Sequence, residues 1–528
     1  MSSDLLFFCH VERPKGVETS LAQEAQRYIF PSKRTANIIY YVHLCNPSVK
    51  FGKIFFLCRK VTTVRKNILI MSDVAGKFTE PVDSGAKVRY LYLSRKIHFD
   101  MKQFLLLPVL VLMAATLQIS YAQERFEIFT TGSETDIPYR IPAVAALPDG
   151  TVICVADYRY SRRDIGMAEN GRVDLHVRVS EDNGCSWGDV AALVEGKGSE
   201  SPDFMNVAFG DPCIVADRKS GRVLVMSCSG NISFPKGRRD RHLGIVRFYS
   251  DDGGKTWTAP EEISESIYSQ FDAVNPIQSM FIASGRIMQS RYICKGEYYR
   301  LYCAILAKIQ GKVWHNYVLY SDDFGQSWNI LGGADTSPIP DGGNEAKVEE
   351  LPGGSVLISS RTKPGGRLFN IYDYKNKRRA TGSWGKVSHS STHNNGIITE
   401  KNDCNGEVMV LPVVRTEDGR KMDLLLQSAP MGPGRANVGI YYKALESRKD
   451  YSSPESIAED WEGVFKITDK GSAYSTMDLQ SDGSLGFLFE EETYCTTKGG
   501  GYTIVYDNLS VDEITAGRYK IDQSVKHP

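Results

Sequence analysis

Ser180-Glu181-Asp182-Asn183-Gly184-Cys185-Ser186-Trp187, Ser250-Asp251-Asp252-Gly253-Gly254-Lys255-Thr256-Trp257 and Ser321-Asp322-Asp323-Phe324-Gly325-Gln326-Ser327-Trp328 are three copies of one octapeptide, S-x-D-x-G-x-[ST]-W, with starts 70 and then 71 residues apart. The pattern reads as a hairpin turn. Asp182, Asp252 and Asp323 are placed to accept backbone N–H bonds inside the turn, and the glycine takes a positive φ that a side chain resists. The serine or threonine adds a hydroxyl, and the tryptophan is an apolar anchor under the loop. A turn returning once per ~70 residues marks a repeated supersecondary unit, and four-stranded blades around an axis fit that spacing. The acidic, glycine-containing run also suggests a calcium loop. The distal Glu of a calcium-binding hand is missing and strands replace its helices, so these turns are read as structural and no metal site is expected.

The flanks of the turns agree with a β protein. Ile141–Ala146, Thr151–Ala156, Leu175–Val179, Arg222–Ser227, Gly244–Tyr249, Tyr317–Tyr320 and Ser355–Ser359 are β-branched or apolar runs bounded by Asp-Gly, Gly-Gly and Pro-Gly. Helical periodicity is scarce. The 528 residues include 42% hydrophobic, 24% charged and 10% aromatic residues, an ordinary globular composition that excludes a disordered, collagenous or polytopic membrane chain. With 63 basic and 63 acidic residues there is no overall nucleic-acid signature.

That balance hides a split. Residues 1–100 hold 16 Lys/Arg and 8 Asp/Glu, whereas the other 428 residues hold 47 and 55, a net of −8. At the seam, Met101-Lys102 leads an apolar run from Phe104 to Ala115, and Ser120-Tyr121-Ala122 ends it with a small-x-small site. These are the parts of a secretory signal, and the run is short for a membrane span of ~20 residues. Residues 101–122 are therefore expected to be a signal peptide, with translation starting at Met101, residues 1–100 an upstream non-native extension of no assigned fold, and the mature chain exported, periplasmic or secreted, without a stable membrane span. Gln123 rather than Cys follows the cleavage site, which gives no support to a lipoprotein. Eight cysteines remain after it (Cys154, Cys185, Cys213, Cys228, Cys294, Cys303, Cys404 and Cys495), at wide spacing that fits neither a zinc site nor a small disulfide scaffold.

The octapeptide is similar to the Asp box of sialidases (neuraminidases), and residues 125–515 resemble the bacterial exo-α-sialidases of that family in ordered segments. Tyr139-Arg140-Ile141-Pro142-Ala143 resembles the family's Arg-Ile-Pro motif, and Ala156-Asp157-Tyr158-Arg159 with Asp164 its acid/base loop. Asn344-Glu345-Ala346 through Ser360-Arg361 is similar to its Glu…Arg segment. Gly434-Arg435-Ala436 stands at the place of a third arginine, and Ser472-Ala473-Tyr474-Ser475 resembles the nucleophile segment. The resemblance implies an all-β, six-bladed β-propeller over residues 123–528, at about 65 residues per blade. A fourth box is not intact: Ser447-Arg448-Lys449-Asp450 lacks the Gly and Trp. The insert at Gln278–Tyr299 matches no family motif.

The chemistry implied explains the residue types. Sialic acid carries a carboxylate on its anomeric carbon, and arginine forks match carboxylate geometry where lysine offers a point charge. By resemblance Arg140, Arg361 and Arg435 bind that carboxylate. An anionic nucleophile approaching this carbon is repelled, so a phenol activated by a base is the sensible attacker. The resemblance assigns Tyr474 as nucleophile, Glu345 as its base and Asp164 as general acid/base, beside Arg162 and Arg163. Arg159 and Asp211 are carried over as residues near the 4-hydroxyl and N-acetyl side. His389 and His393 are read as loop histidines, lacking a carboxylate partner at useful spacing. Because the chain beyond residue 100 is net negative, recognition of an anionic sugar has to come from the local arginine cluster.

The activity so implied is exo-α-sialidase hydrolysis of terminal sialic acid on glycoproteins, glycolipids or oligosaccharides, with retention and with no cofactor. Two alternatives share the scaffold: a trans-sialidase or anhydrosialidase using the same residues, and a non-catalytic sialic-acid-binding propeller.

Overall fold

Apolar runs broken every few residues by glycine-containing turns leave backbone hydrogen bonds to be met between strands rather than within helices. The computed structural model describes residues 62–64, 67–69, 125–131, 137–168, 171–310, 313–363, 365–401, 404–492 and 501–524. The chain divides into two units, Met1–Leu110 and Val111–Pro528. In the first, Thr62–Val64 and Asn67–Leu69 form an antiparallel hairpin. The rest of residues 1–100, the expected signal segment at 101–122 and Cys495 lie outside the described residues.

The second unit is all-β, with every predicted strand present and most of them longer than the sequence runs suggested. Four of its sheets have five strands and one has eight. Phe209–Ala216, Val223–Ser229, Gly244–Ser250 and Glu261–Glu262 pair in chain order, and the short Gly285–Arg286 adds in parallel beside the first. Ile277–Ile282, Tyr298–Ile309, Trp314–Ser321 and Asn329–Ile330 make a second such run, and Gly343–Glu350, Val356–Thr362, Arg367–Asn376 and Thr381–Trp384 a third. In a fourth, Val408–Arg415, Lys421–Pro430, Val438–Leu445 and Gly463–Lys466 are joined by Tyr519–Ile521 from the C-terminal end. The eight-stranded sheet runs Ser472–Leu479, Leu485–Glu492, Tyr502–Leu509, Tyr139–Ala146, Val152–Arg159, Val173–Ser180, Ala191–Val194, with Phe126–Phe129 also on Tyr502–Leu509. Its two halves meet at one residue pair, Tyr502 with Tyr139.

Packing is face to face between successive sheets. Ala143, Val155 and Leu175 share one apolar cluster with Phe209, Ile214, Val225 and Phe248 of the next sheet. Met409, Leu424 and Ile440 likewise meet Met477, Phe487 and Val505. Burial on both faces explains why strands such as Val223–Ser229 are buried at every position instead of alternating.

The three repeated turns have the bonds their sequence calls for. Asp252 Oδ1 accepts from the backbone N–H of Thr256 at 2.9 Å and its Oδ2 from the Thr256 hydroxyl at 2.6 Å. Asp182 does the same with Ser186, at 2.8 and 2.5 Å. Both central residues have positive φ: Asn183 and Gly184 (54° and 76°), Gly253 and Gly254 (72° and 86°), Phe324 and Gly325 (54° and 79°). The second position also has no room, since a Cβ on Gly184 would lie 2.5 Å from the Tyr506 hydroxyl. Phe324 bears its unfavourable φ with its ring buried and stacked on Tyr298 at 5.1 Å.

Three local features depart from the sequence reading. Ser264–Asp272 is a helix, with Ile267, Tyr268 and Phe271 buried. The insert forms strands, Met288–Lys295 folding back on Tyr298–Ile309. At the degenerate fourth box, Arg448–Tyr451 is a 3-10 turn closed by reciprocal Ser447–Asp450 capping, so without Gly the segment finds another way to satisfy its N–H groups.

Candidate active site

Four strands that each open a four-stranded run bulge near their start. Register shifts fall between Arg140 and Ala143, Gly210 and Cys213, Gly343 and Ala346, and Ser472 and Ser475. The residues inside these shifts include Asp211, Glu345 and Tyr474, and Arg140 borders the first. A bulge breaks strict alternation and turns a side chain out of the sheet face, which is how an otherwise apolar strand presents a functional group at its end. Two bulge residues, Ile141 and Asp211, hold positive φ of 56° and 54°. For β-branched Ile141 this is a strained conformation, and the carboxylate of Glu490 fixes it by accepting the Ile141 N–H at 2.8 Å.

Tyr474 sits at the centre of the cluster, 7% exposed. Its hydroxyl donates to Glu345 Oε1 at 2.9 Å and accepts from a terminal nitrogen of Arg361 at 2.8 Å. The same Arg361 nitrogen reaches Glu345 Oε2 at 2.5 Å. The guanidinium carbons of Arg140, Arg361 and Arg435 lie 5.7, 6.0 and 5.4 Å from the Tyr474 ring centroid. Three arginines up to 295 positions apart in the chain thus surround one phenol. Burial raises the Tyr474 pKa well above its ordinary value; Arg361 opposes this and Glu345 adds to it. The phenol is therefore held protonated, with a carboxylate in position to take the proton.

Glu490 is the member of the cluster that the sequence did not reveal. Its side chain is fully buried, and it receives Arg140 Nε at 2.7 Å and the Tyr474 N–H at 3.2 Å besides that of Ile141. One carboxylate thereby orients both an arginine and the backbone of the phenol. Nothing in Phe489-Glu490-Glu491 distinguishes it from its neighbour. The ring of Tyr502 closes the other side of Arg140, 5.0 Å from the guanidinium.

A second group surrounds Arg159. Asp157 and Arg159 are two apart on one strand and so share a face, and Arg159 donates to Asp157 Oδ2 at 2.7 and 2.9 Å. It also pairs with Asp164, and Asp211 lies 3.8 Å away. Asp157 completes the set by accepting the Asp211 N–H at 2.9 Å. Burial pushes Asp157 up to about 6 despite Arg159, and raises Asp211 well above the usual range with Asp157 adding to the effect. Asp164 behaves oppositely. Desolvation by the neighbouring walls works against it, but Arg159 and then Arg140 hold its carboxyl below the ordinary value. Asp164 stands beside Arg162 and Arg163 in the sequence, and its ion pair is with Arg159. Its side chain is 69% exposed, open to whatever lies above the cluster.

Beneath the site lies another cation. Arg367 stands directly opposite Arg361 in the strand pair and is 1% exposed. Its donors go to neutral acceptors: Ser359 Oγ at 2.9 Å, Ser359 O at 2.8 Å and Cys404 O at 3.2 Å. Burial, with Arg361 beside it, draws its pKa down to about 9. Cys404 is buried against Ile141, Ala473 and Tyr474, and burial pushes its thiol up to about 12. The seven described cysteines are all free thiols.

His389 and His393 lie on their loop bonded to serines, Ser391 N to His389 Nδ1 at 3.2 Å and Ser388 Oγ with His393 Nε2 at 2.7 Å. His393 does have a carboxylate neighbour, contrary to the sequence reading: Glu459, 66 positions on, is 3.9 Å away. Among the described residues no group of three or more His, Cys, Asp or Glu is arranged to hold a metal ion.

Over 381 residues the chain is 25% identical to a sialidase of Micromonospora viridifaciens, covering 70% of this chain and 52% of that protein. A Sialidase-3 of Rattus norvegicus is 29% identical over 265 residues, 46% of this chain and 58% of the relative. The chain thus spans little more than half the length of these two curated relatives. Among solved structures, an intramolecular trans-sialidase from Ruminococcus gnavus in complex with oseltamivir carboxylate superposes with a TM-score of 0.57 at 18% identity, covering 75% of this chain and 99% of that one, a likeness of fold. No family model matches the chain. In sequence and in fold the chain resembles sialidases, whose solved structures are β-propellers.

Proposed function

We propose that this resemblance extends to activity: an exported exo-α-sialidase that hydrolyses terminal sialic acid from glycoproteins, glycolipids or oligosaccharides with retention, on a six-bladed propeller. In this reading the eight-stranded sheet is two four-stranded blades touching at Tyr502 and Tyr139, and the other four sheets are one blade each. Residues 101–122 act as its signal peptide. No helix among the described residues is long and apolar enough to cross a membrane.

The observation that carries the reading is the Tyr474–Glu345 hydrogen bond inside a ring of three arginines. The sugar carboxylate binds Arg140, Arg361 and Arg435. Asp164 gives a proton to the glycosidic oxygen, and that C–O bond breaks as Tyr474 Oη bonds to the anomeric carbon while its proton passes to Glu345. Water, deprotonated by Asp164, then cleaves the tyrosyl–sugar bond, and Tyr474 recovers its proton from Glu345. Two inversions give net retention.

The ion pair of Asp164 with Arg159 favours the ionised carboxylate, which opposes the first step. Substrate corrects this. Its carboxylate neutralises part of the positive potential of Arg140 and Arg435, and the aglycone covers the exposed Asp164, both of which raise the pKa. Arg159 and Asp211 meet the far side of the sugar.

Tyr474→Phe tests the assignment. Turnover of a fluorogenic sialoside falls by roughly 10³-fold or more while a sialic-acid analogue still binds; undiminished turnover overturns it. Nuclear magnetic resonance of the first product distinguishes hydrolysis, which gives the free α-anomer, from transfer to an added lactose acceptor or formation of an anhydro sugar.

A further inference from the structure

The loop that carries Asp164 abuts a second loop with its own cleft. Gly166, two residues on, has a φ of 67°, and a Cβ there would lie 2.4 Å from the Ser233 nitrogen. Ser233 leads into the 3-10 turn Phe234–Lys236. About 6 Å further along that turn, at ~2 Å per residue, the chain enters a cleft of about 580 Å³. The polar wall of this cleft is made by Lys236, Arg238, Lys308, Gln278 and Gln310, so among the described lining residues there are three cations, two amides and no carboxylate. The charge on the described lining residues is thus all positive, against the net charge of −8 beyond residue 100.

The cleft is also held in shape. Lys308 Nζ donates to Pro235 O at 2.7 Å and Gly237 O at 3.1 Å, tying the turn to the neighbouring sheet. Phe234 packs edge-on against Phe281 and Trp314 at 5.0 and 5.2 Å. Arg239 is occupied by Glu265 and Asp272, at 2.6 and 2.8 Å. Lys236 and Arg238 remain exposed.

We propose that this cleft is a subsite for an anionic group, a carboxylate or sulfate, on the sugar next to the one released. The inference rests on the sialidase reading: if Asp164 protonates the glycosidic oxygen, the departing part of the substrate lies on the Asp164 side, where the two loops meet. Lys236 and Arg238 then select acidic aglycones, and Lys308 acts as a positioning residue for the turn that bears them.

The test compares kcat/KM on three substrates with the same released sugar, one with a neutral lactose aglycone, one with an α2,8-linked sialyl aglycone and one with a sulfated lactose aglycone. It uses the full-length chain and its Lys236→Ala/Arg238→Ala variant, in which both altered side chains are exposed. The variant loses about five- to ten-fold, through KM, on the sialyl or the sulfated substrate or both, at the strength of exposed charge contacts. It changes by less than about two-fold on the neutral one, and the difference shrinks at high salt. Which acidic substrate responds identifies the group recognised. An equal loss on all three, or no loss on either acidic substrate, overturns the subsite and leaves the sialidase reading standing. Failure of the unaltered chain to turn over any sialoside overturns both.

Discussion

Asp157 and Arg367 act on the site without standing among its expected members. Asp157 holds Arg159 only when ionised, yet burial lifts its pKa to about 6. The folded state therefore binds a proton that the unfolded chain, with a carboxylate near ~4, releases earlier. Its contribution to stability is full below about pH 4 and is lost as pH rises through about 6, whereas the grip on Arg159 strengthens over the same interval. Activity accordingly falls on the acid side with an apparent pKa near 6 in kcat/KM. Asp157→Asn is slow at neutral pH and lacks that limb; an unchanged profile in the variant contradicts the role. Arg367 contributes differently. Arg367→Met leaves Ser359 O, Ser359 Oγ and Cys404 O without their donor, which costs about 2–4 kcal/mol at ordinary values for unsatisfied buried groups. Denaturant titration measures that loss, and Arg367→Lys recovers part of it. Asp157 was readable, though not picked out, because it shares a strand face with Arg159 at a spacing of two. Arg367 and Glu490 were not, because a buried charge in a strand looks like any surface charge until its partners from distant segments are known.

Among the elements, the repeated turns were the most legible, since their hydrogen bonds are local. Asp252 and Thr256 are four residues apart, and the bond between them needs no knowledge of the rest of the fold. The glycines make this testable. Gly184→Ala combines a φ of 76° with a Cβ 2.5 Å from the Tyr506 hydroxyl, whereas Gly296→Ala has a φ of 71° and nothing within 4 Å. Gly296→Ala shows only the backbone penalty of ~1 kcal/mol, and Gly184→Ala lowers the thermal midpoint at least twice as far. Equal midpoints contradict the packing account. The bulges were invisible in the sequence. Arg-Ile-Pro and Gly-Asp-Pro look like strand starts with a proline, and nothing local states that the strand carries one residue more than its partner there. Yet those shifts fall at Asp211, Glu345 and Tyr474, so the site depends on irregularities that strand patterns do not encode. The helix Ser264–Asp272 escaped for a related reason: with three apolar residues in nine positions, its face is too short to show a period.

In the second unit, the first and last described strands are built into sheets made of other segments. Phe126–Phe129 lies against Tyr502–Leu509, and Arg125 pairs with Asp507 and Glu491 at 2.8 and 3.1 Å. Tyr519–Ile521 lies against Val408–Arg415. Removing residues up to Phe129, or from Tyr519 onward, exposes a strand edge and its apolar face. Either truncation lowers the thermal midpoint by several degrees or yields insoluble protein, and a fully stable product contradicts these ends as closures. The all-β class was readable from turn spacing, but which strands close on which was not, because such pairings span more than 370 residues in the case of Phe126–Phe129. The central claim concerns one oxygen atom, and the most direct measurement is to trap it. Incubation with a fluorinated sialyl fluoride, which forms a glycosyl–enzyme quickly and loses it slowly, followed by peptide mass spectrometry, is expected to place one sialyl adduct on the peptide that carries Tyr474. An adduct on a carboxylate instead, or hydrolysis of substrate with no adduct formed, would contradict the account.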